Sequence, residues 1–176
     1  MKRGLTENEV ALLQPIFKDA IDYAQVKLVF DAWWQRFSRA AVAPRGVVYF
    51  PKVAECTDFA QASASLQVWF VHEMTHVWQY HRGFSVAWSG VCLFCQGGYI
   101  QSKAYRYWSG KTVLPAFCDL NMEQQAEVVA HYFAAERLGY SQWQQRLPQL
   151  ATCIAPLLSN PHHLCLLPQH SRCHKL

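Results

Sequence analysis

Hydrophobic and polar positions fall into short blocks of differing period along the chain. Val10, Leu12, Leu13, Ile16, Phe17, Ile21 and Tyr23 recur at helical spacing behind Thr6 and Glu9, which form a capping box. They predict a first helix ending near Tyr23. Gln25 to Phe30 alternates and predicts a strand; Gly46 to Phe50, β-branched and aromatic and stopped by Pro51, predicts a second. Asp31 to Ala43 fits neither template. From Ser63 to His81, closed by Gly83, the chain is apolar on nearly every side (Leu66, Val68, Trp69, Phe70, Val71, Met74, Val77, Trp78), which predicts a long helix through the middle of a domain. Residues 91–100 and 104–108 read as extended, with a turn at Ser109-Gly110. Asn121 and Gln124 open a further helix that Gly139 closes, and Ser141 caps a short one that Pro148 interrupts. Residues 160–176, rich in His, Pro and Cys, show no period. The expected division is one domain over residues 1–159 and an irregular tail over 160–176, without repeats or linkers.

Composition narrows the class. Hydrophobic residues make up 52% and charged residues 16%, enough for a core and too apolar for a disordered chain. The net charge of +4 comes from scattered Lys and Arg, with no basic stripe interleaved with aromatics, so no nucleic-acid partner is expected. Lys2 and Arg3 are not followed by an apolar stretch, and no run is long enough to span a bilayer. The expectation is cytoplasmic synthesis without a signal peptide, with any export left to another machine. Seven cysteines cannot all pair within one chain, and reduced thiols are expected. Cys92 and Cys95 have knuckle spacing but no second Cys-x-x-Cys to complete a site. On a strand they point to opposite faces, and the pair reads as buried structural thiols.

The chemistry sits on the apolar helix, in His72-Glu-Met-Thr-His76. Imidazoles four residues apart on a helix share one face and can grip one zinc ion. Glu73 is one step round, displaced from that ion but placed to accept a proton from an attacking water. Chance yields this pattern in on the order of one chain in a hundred of similar make-up. Two imidazoles and a carboxylate buried without partners would also cost several kcal/mol, a penalty that metal ligation removes.

A catalytic zinc needs a third protein ligand. His81 lies nine residues beyond His72 on another face, and His162, His163, His170 and His174 belong to the aperiodic tail. Glu123 opens a capped helix with Glu127 and His131 behind it at i+4 and i+8, flanked by Ala126, Val129, Ala130 and Phe133. That face suits a ligand with supporting groups behind it.

Together, His72-Glu-Met-Thr-His-Val-Trp-Gln79 and Glu123-Gln-Gln-Ala-Glu127 resemble the gluzincin metallopeptidases, whose second motif is Glu-x-x-Ala-Asp. More narrowly, these residues with Leu5-Thr6 through Phe17-Lys-Asp-Ala-Ile-Asp-Tyr23 resemble the Vgr-related metallopeptidase domains that travel with the VgrG spike of bacterial type VI secretion. The resemblance runs from about Leu5 to Phe133. It implies a small α+β zincin-like domain, mainly helical, with a short sheet beside the HExxH helix. An edge strand, Val47 to Phe50, would be open to an extended peptide. It further implies Zn²⁺ held by His72, His76 and Glu123, with Glu73 as general base. Glu127 and His131 become candidates for orienting a ligand or holding the oxyanion, with Tyr99, Tyr105 and Tyr107 also near the chemistry. The implied protein is a metallopeptidase effector delivered into the periplasm of a target cell. Its substrate would be protein or peptide, with peptidoglycan cross-links as a second class, and its partners the VgrG spike and an immunity protein. Two other readings compete: a non-toxic cytoplasmic zinc peptidase, and a zinc-stabilised docking module without turnover.

Overall fold

In a computed structural model the chain is described over residues 1–33, 41–108 and 113–169. The fold is α+β. Strands β1 (Lys2–Arg3), β2 (Lys27–Phe30) and β3 (Val47–Phe50) form one sheet in that order, β1 antiparallel and β3 parallel to β2, with Leu28 opposite Val48. The helices are α1 (Glu7–Phe17), α2 (Ala64–His81), α3 (Val86–Cys95), α4 (Met122–Glu136), α5 (Ser141–Gln144) and α6 (Leu147–Ser159).

Alternation explains how the sheet joins the core. Leu28, Phe30, Val48 and Phe50 point inward and are buried, while their neighbours face out. The Phe50 ring meets Phe59 at 4.7 Å, and Phe59 stacks on Phe70 of α2 at 4.7 Å. The ten residues from Phe70 to Gln79 are all buried, as expected for a helix with no polar face. Helix α4 packs along α2, and α6 covers α4. The HExxH residues are thus held where α2 packs on α4.

Glu9 shows how a local signal becomes a tertiary anchor. Thr6 and Glu9 do form the capping box, but the fully buried Glu9 carboxylate also takes two 2.7 Å bonds from Arg3 and one of 2.8 Å from the Phe59 amide. Arg3→Ala removes the only charge facing this buried carboxylate among the described residues. It is expected to cost about 3 kcal/mol or more, read as a lowered denaturant midpoint in urea. A shift below about 1 kcal/mol would show that water compensates.

Several sequence expectations need correction. Helix α1 stops at Phe17, not Tyr23, because Lys18 adopts a positive φ of 48° and caps it through its N–H on Gln14 O. Ala20 and Ile21 are buried from the following turn instead. Residues 86–95 form a helix, not a strand: Val86, Ser89 and Cys92 are buried at a spacing of three, a period hidden by apolar residues on the other face. Residues 100–105, partly expected as strand, are a 3₁₀ segment with Gln101 and Ser102 at positive φ. Ser141 makes no side-chain cap, and Pro148 opens α6 rather than interrupting a helix, since a first-turn proline has no amide hydrogen bond to lose. The outer edge of β3 is not free, because Val42 and Tyr49 exchange hydrogen bonds of 3.1 and 2.8 Å. The first stretch of the tail lies against the core. Trp78 Nε1 donates to Pro161 O at 2.9 Å, and Leu166 is buried.

The cysteine expectation changes too. Cys92 is disulfide-bonded, whereas Cys56, Cys95, Cys118, Cys153 and Cys165 are free. On helix α3, Cys92 turns inward and Cys95 is exposed, so the two do not act as a pair. The turn expected at Ser109-Gly110, most of the ambiguous stretch after Asp31, and His170 and His174 lie outside the described residues.

Candidate metal centre

Helix α2 presents His72 and His76 on one face, their rings 5.0 Å apart, and the first turn of α4 brings Glu123 against both. Glu123 Oε2 lies 3.3 Å from His72 Nε2 and 3.2 Å from His76 Nε2. All three residues are buried, and their donor atoms lie within 4.8 Å of one another. Donors bonded tetrahedrally to zinc at about 2.0–2.1 Å stand about 3.4 Å apart, so the spacing from Glu123 to each imidazole fits that ion.

The hydrogen bonds behind the imidazoles assign their protons. Gln125 Nε2 donates to Phe117 O and Leu166 O, leaving its Oε1 to accept from Gln79 Nε2 at 2.9 Å. Gln79 therefore offers Oε1 to His76, whose Nδ1 lies 2.9 Å away and must carry the proton. His76 Nε2 is the atom turned toward Glu123: it donates a hydrogen bond to that carboxylate when no metal is bound, and offers its lone pair to a metal once that proton is lost. His72 is arranged likewise, with Nδ1 3.3 Å from Glu127 Oε1. Glutamate at 127, one methylene longer than the usual aspartate, still reaches its imidazole.

Glu127 is steadied in turn. Its Oε2 lies 3.0 Å from His131 Nε2, and His131 Nδ1 lies 2.7 Å from the Tyr107 hydroxyl. Burial pushes the His131 pKa down to about 4. The neutral ring donates from Nε2 to the carboxylate and accepts the Tyr107 proton at Nδ1. Trp143 stacks on it at 3.6 Å. Both His131 nitrogens are engaged. Tyr99 is engaged as well, its hydroxyl donating to Glu123 Oε1 at 2.9 Å. Tyr105 differs: its hydroxyl has no hydrogen-bond partner among the described residues, and its ring lies 6.2 Å from that of His72. Together with Trp69, His72, Glu73, Glu127 and His131 it lines a cleft of about 340 Å³.

Glu73 is buried at the floor of this cleft, and its Oε2 has no hydrogen-bond partner. Burial raises its pKa, against the pull of His72 and His76. Gln79, Gln125 and Trp143 were not marked by the sequence as parts of the site. Only Gln79 carried a usable signal, as a polar residue one turn beyond His76 on an otherwise apolar helix.

The electrostatics give a pH dependence. Burial opposes protonation of His72, but its bonds to Glu123 and Glu127 outweigh this and push its pKa up to about 10. The same imidazoles hold the Glu123 carboxyl well below its usual range in spite of burial. In the metal-free protein the proton on His72 stabilises the fold fully below the unfolded imidazole value of about 6.5. That contribution fades as pH climbs through the raised value. A metal needs the imidazoles neutral, so protons compete with it. Zinc affinity is expected to increase from about pH 6 to about pH 9, with net proton release on uptake at neutral pH. Chelator competition and calorimetry in buffers of different ionisation enthalpy measure both, and a flat affinity would contradict this electrostatic picture.

No family model matches the chain. Over 135 residues it is 36% identical to the type VI secretion system spike protein VgrG2b of Pseudomonas aeruginosa, a match covering 74% of this chain but 13% of that protein. The solved effector domain of Pseudomonas aeruginosa VgrG2b superposes with a TM-score of 0.64 at 34% identity, covering 84% of this chain and 83% of that domain. With identity and fold agreeing over most of both chains, this protein belongs to the family of the VgrG2b effector domain.

Proposed function

We propose that the chain is a zinc metallopeptidase acting as an antibacterial type VI secretion effector, hydrolysing amide bonds in the target cell. The observation that carries the enzymatic half is the set of three buried donors within 4.8 Å of one another, with an unpartnered Glu73 oxygen on the helix that carries His72 and His76. Kinship with the VgrG2b effector domain supports the delivery half. His72, His76 and Glu123 would hold the metal, which when bound supplies a Lewis acid that polarises the scissile carbonyl and acidifies the attacking water. Glu73 takes the proton from that water and passes it to the departing amine. Tyr105, with its hydroxyl unengaged, donates to the carbonyl oxygen as that atom gains charge. His131 and Tyr107 hold Glu127, and Glu127 holds His72. A docking module without turnover has no use for a buried base at position 73, and the orphaned oxygen favours the enzyme. Protein or peptide is the proposed substrate, and the VgrG spike and an immunity protein are the proposed partners.

The test places wild type and Glu73→Gln in a bacterium, each with and without an added export signal. Only exported wild type is expected to arrest growth, since the proposed targets lie in the periplasm. Equal toxicity of wild type and Glu73→Gln would exclude catalysis as the cause. Tolerance of all four strains would favour a non-toxic peptidase.

A further inference from the structure

The face of α3 turned away from the core is made of Ala87, Trp88, Val91, Phe94 and Cys95, which occupy an arc of about 120° around the helix with no polar residue among them. Trp88 is 60% and Phe94 72% exposed, and Ile100, just beyond the helix, extends the patch at 64%. A helix apolar on its inner face has no folding reason to be apolar on its outer face as well.

Charge indicates what covers it. From Met74 to Cys118 the chain has no Asp or Glu. Lys103 and Arg106 are exposed just after the patch, and Arg45 is exposed on the turn packed against α3. Glu123 and Glu127 on α4 are paired with imidazoles. An apolar helical strip bearing Trp and Phe, with Arg45 on the turn packed against its helix, Lys103 and Arg106 following in the chain, and no Asp or Glu from Met74 to Cys118, matches the interfacial layer of an anionic bilayer. A strip of one ten-residue helix is also small beside the roughly 800 Å² per partner of a stable protein interface.

We infer that α3 and Ile100 form a peripheral membrane-docking face for anionic lipid. Trp88, Val91 and Phe94 would enter the headgroup boundary while Arg45, Lys103 and Arg106 meet the phosphates. The chain leaves α3 through Gly97 and Gly98 and brings Tyr99 onto Glu123, so the docking face is built into the wall of the metal centre. This inference does not rest on catalysis, because lipid binding needs neither zinc nor Glu73.

Flotation of the full chain with vesicles tests it. Wild type is expected to float with phosphatidylethanolamine–phosphatidylglycerol vesicles at least about tenfold more than with pure phosphatidylcholine. Phe94→Gln should lower that binding about tenfold or more through lost apolar burial. The double variant Lys103→Gln, Arg106→Gln should lose the preference for phosphatidylglycerol. All these side chains are exposed, so circular dichroism and thermal midpoint should match wild type. Absence of vesicle binding by folded wild type would overturn the inference, as would undiminished binding by Phe94→Gln. A dimer that Phe94→Gln dissociates, with no lipid bound, would assign the face to a second copy instead.

Discussion

Glu73→Gln is expected to lower amide hydrolysis by roughly 10²–10⁴-fold while leaving the fold and the metal content unchanged. The substitution keeps the shape of a side chain that is 3% exposed, so neither cavity nor clash arises. What it removes is the capacity of Oε2 to accept a proton, and that atom has no other partner to serve. Burial moves the Glu73 pKa upward, against the pull of His72 and His76. Cleavage of quenched fluorescent peptides by zinc-loaded wild type and variant measures the ratio. Equal rates would remove Glu73 from the reaction, and loss of zinc in the variant would make it a ligand instead.

How much of this was legible in the sequence depended on the range of each interaction. The HExxH helix, its bounds, the capping boxes at Thr6 and Asn121, and strands β2 and β3 are local signals, and each appears where the spacing put it. Helix α3 was misread because its outer face is as apolar as its inner one, which erases the helical period. The same property later marks the face as a docking surface. The end of α1 was misread because Lys18 breaks the helix at positive φ without a glycine to announce it. At the site, the sequence offered Glu123, Glu127 and His131 on one face of α4 and could not rank them by spacing alone. Packing of α4 against α2 sets Glu123 between the two imidazoles and Glu127 behind one of them. The Gln79–Gln125 relay that fixes the His76 proton joins residues 46 apart and reaches on to Leu166, so no local pattern encodes it.

The largest effect on the metal is expected from Glu123. Its carboxylate is the only anion facing both imidazole Nε2 atoms among the described residues, and Tyr99 holds it in that position. Glu123→Ala leaves two neutral donors and should weaken zinc binding by more than about a hundredfold, beyond the roughly 10–100-fold expected when a supporting group such as Glu127 is removed. The decisive measurement is zinc per chain by elemental analysis after dialysis against a competing chelator, for wild type, Glu127→Ala and Glu123→Ala. The account predicts close to one equivalent in wild type, a partial loss in Glu127→Ala and almost none in Glu123→Ala. Zinc retained in full by Glu123→Ala, or absent from folded wild type, would contradict it.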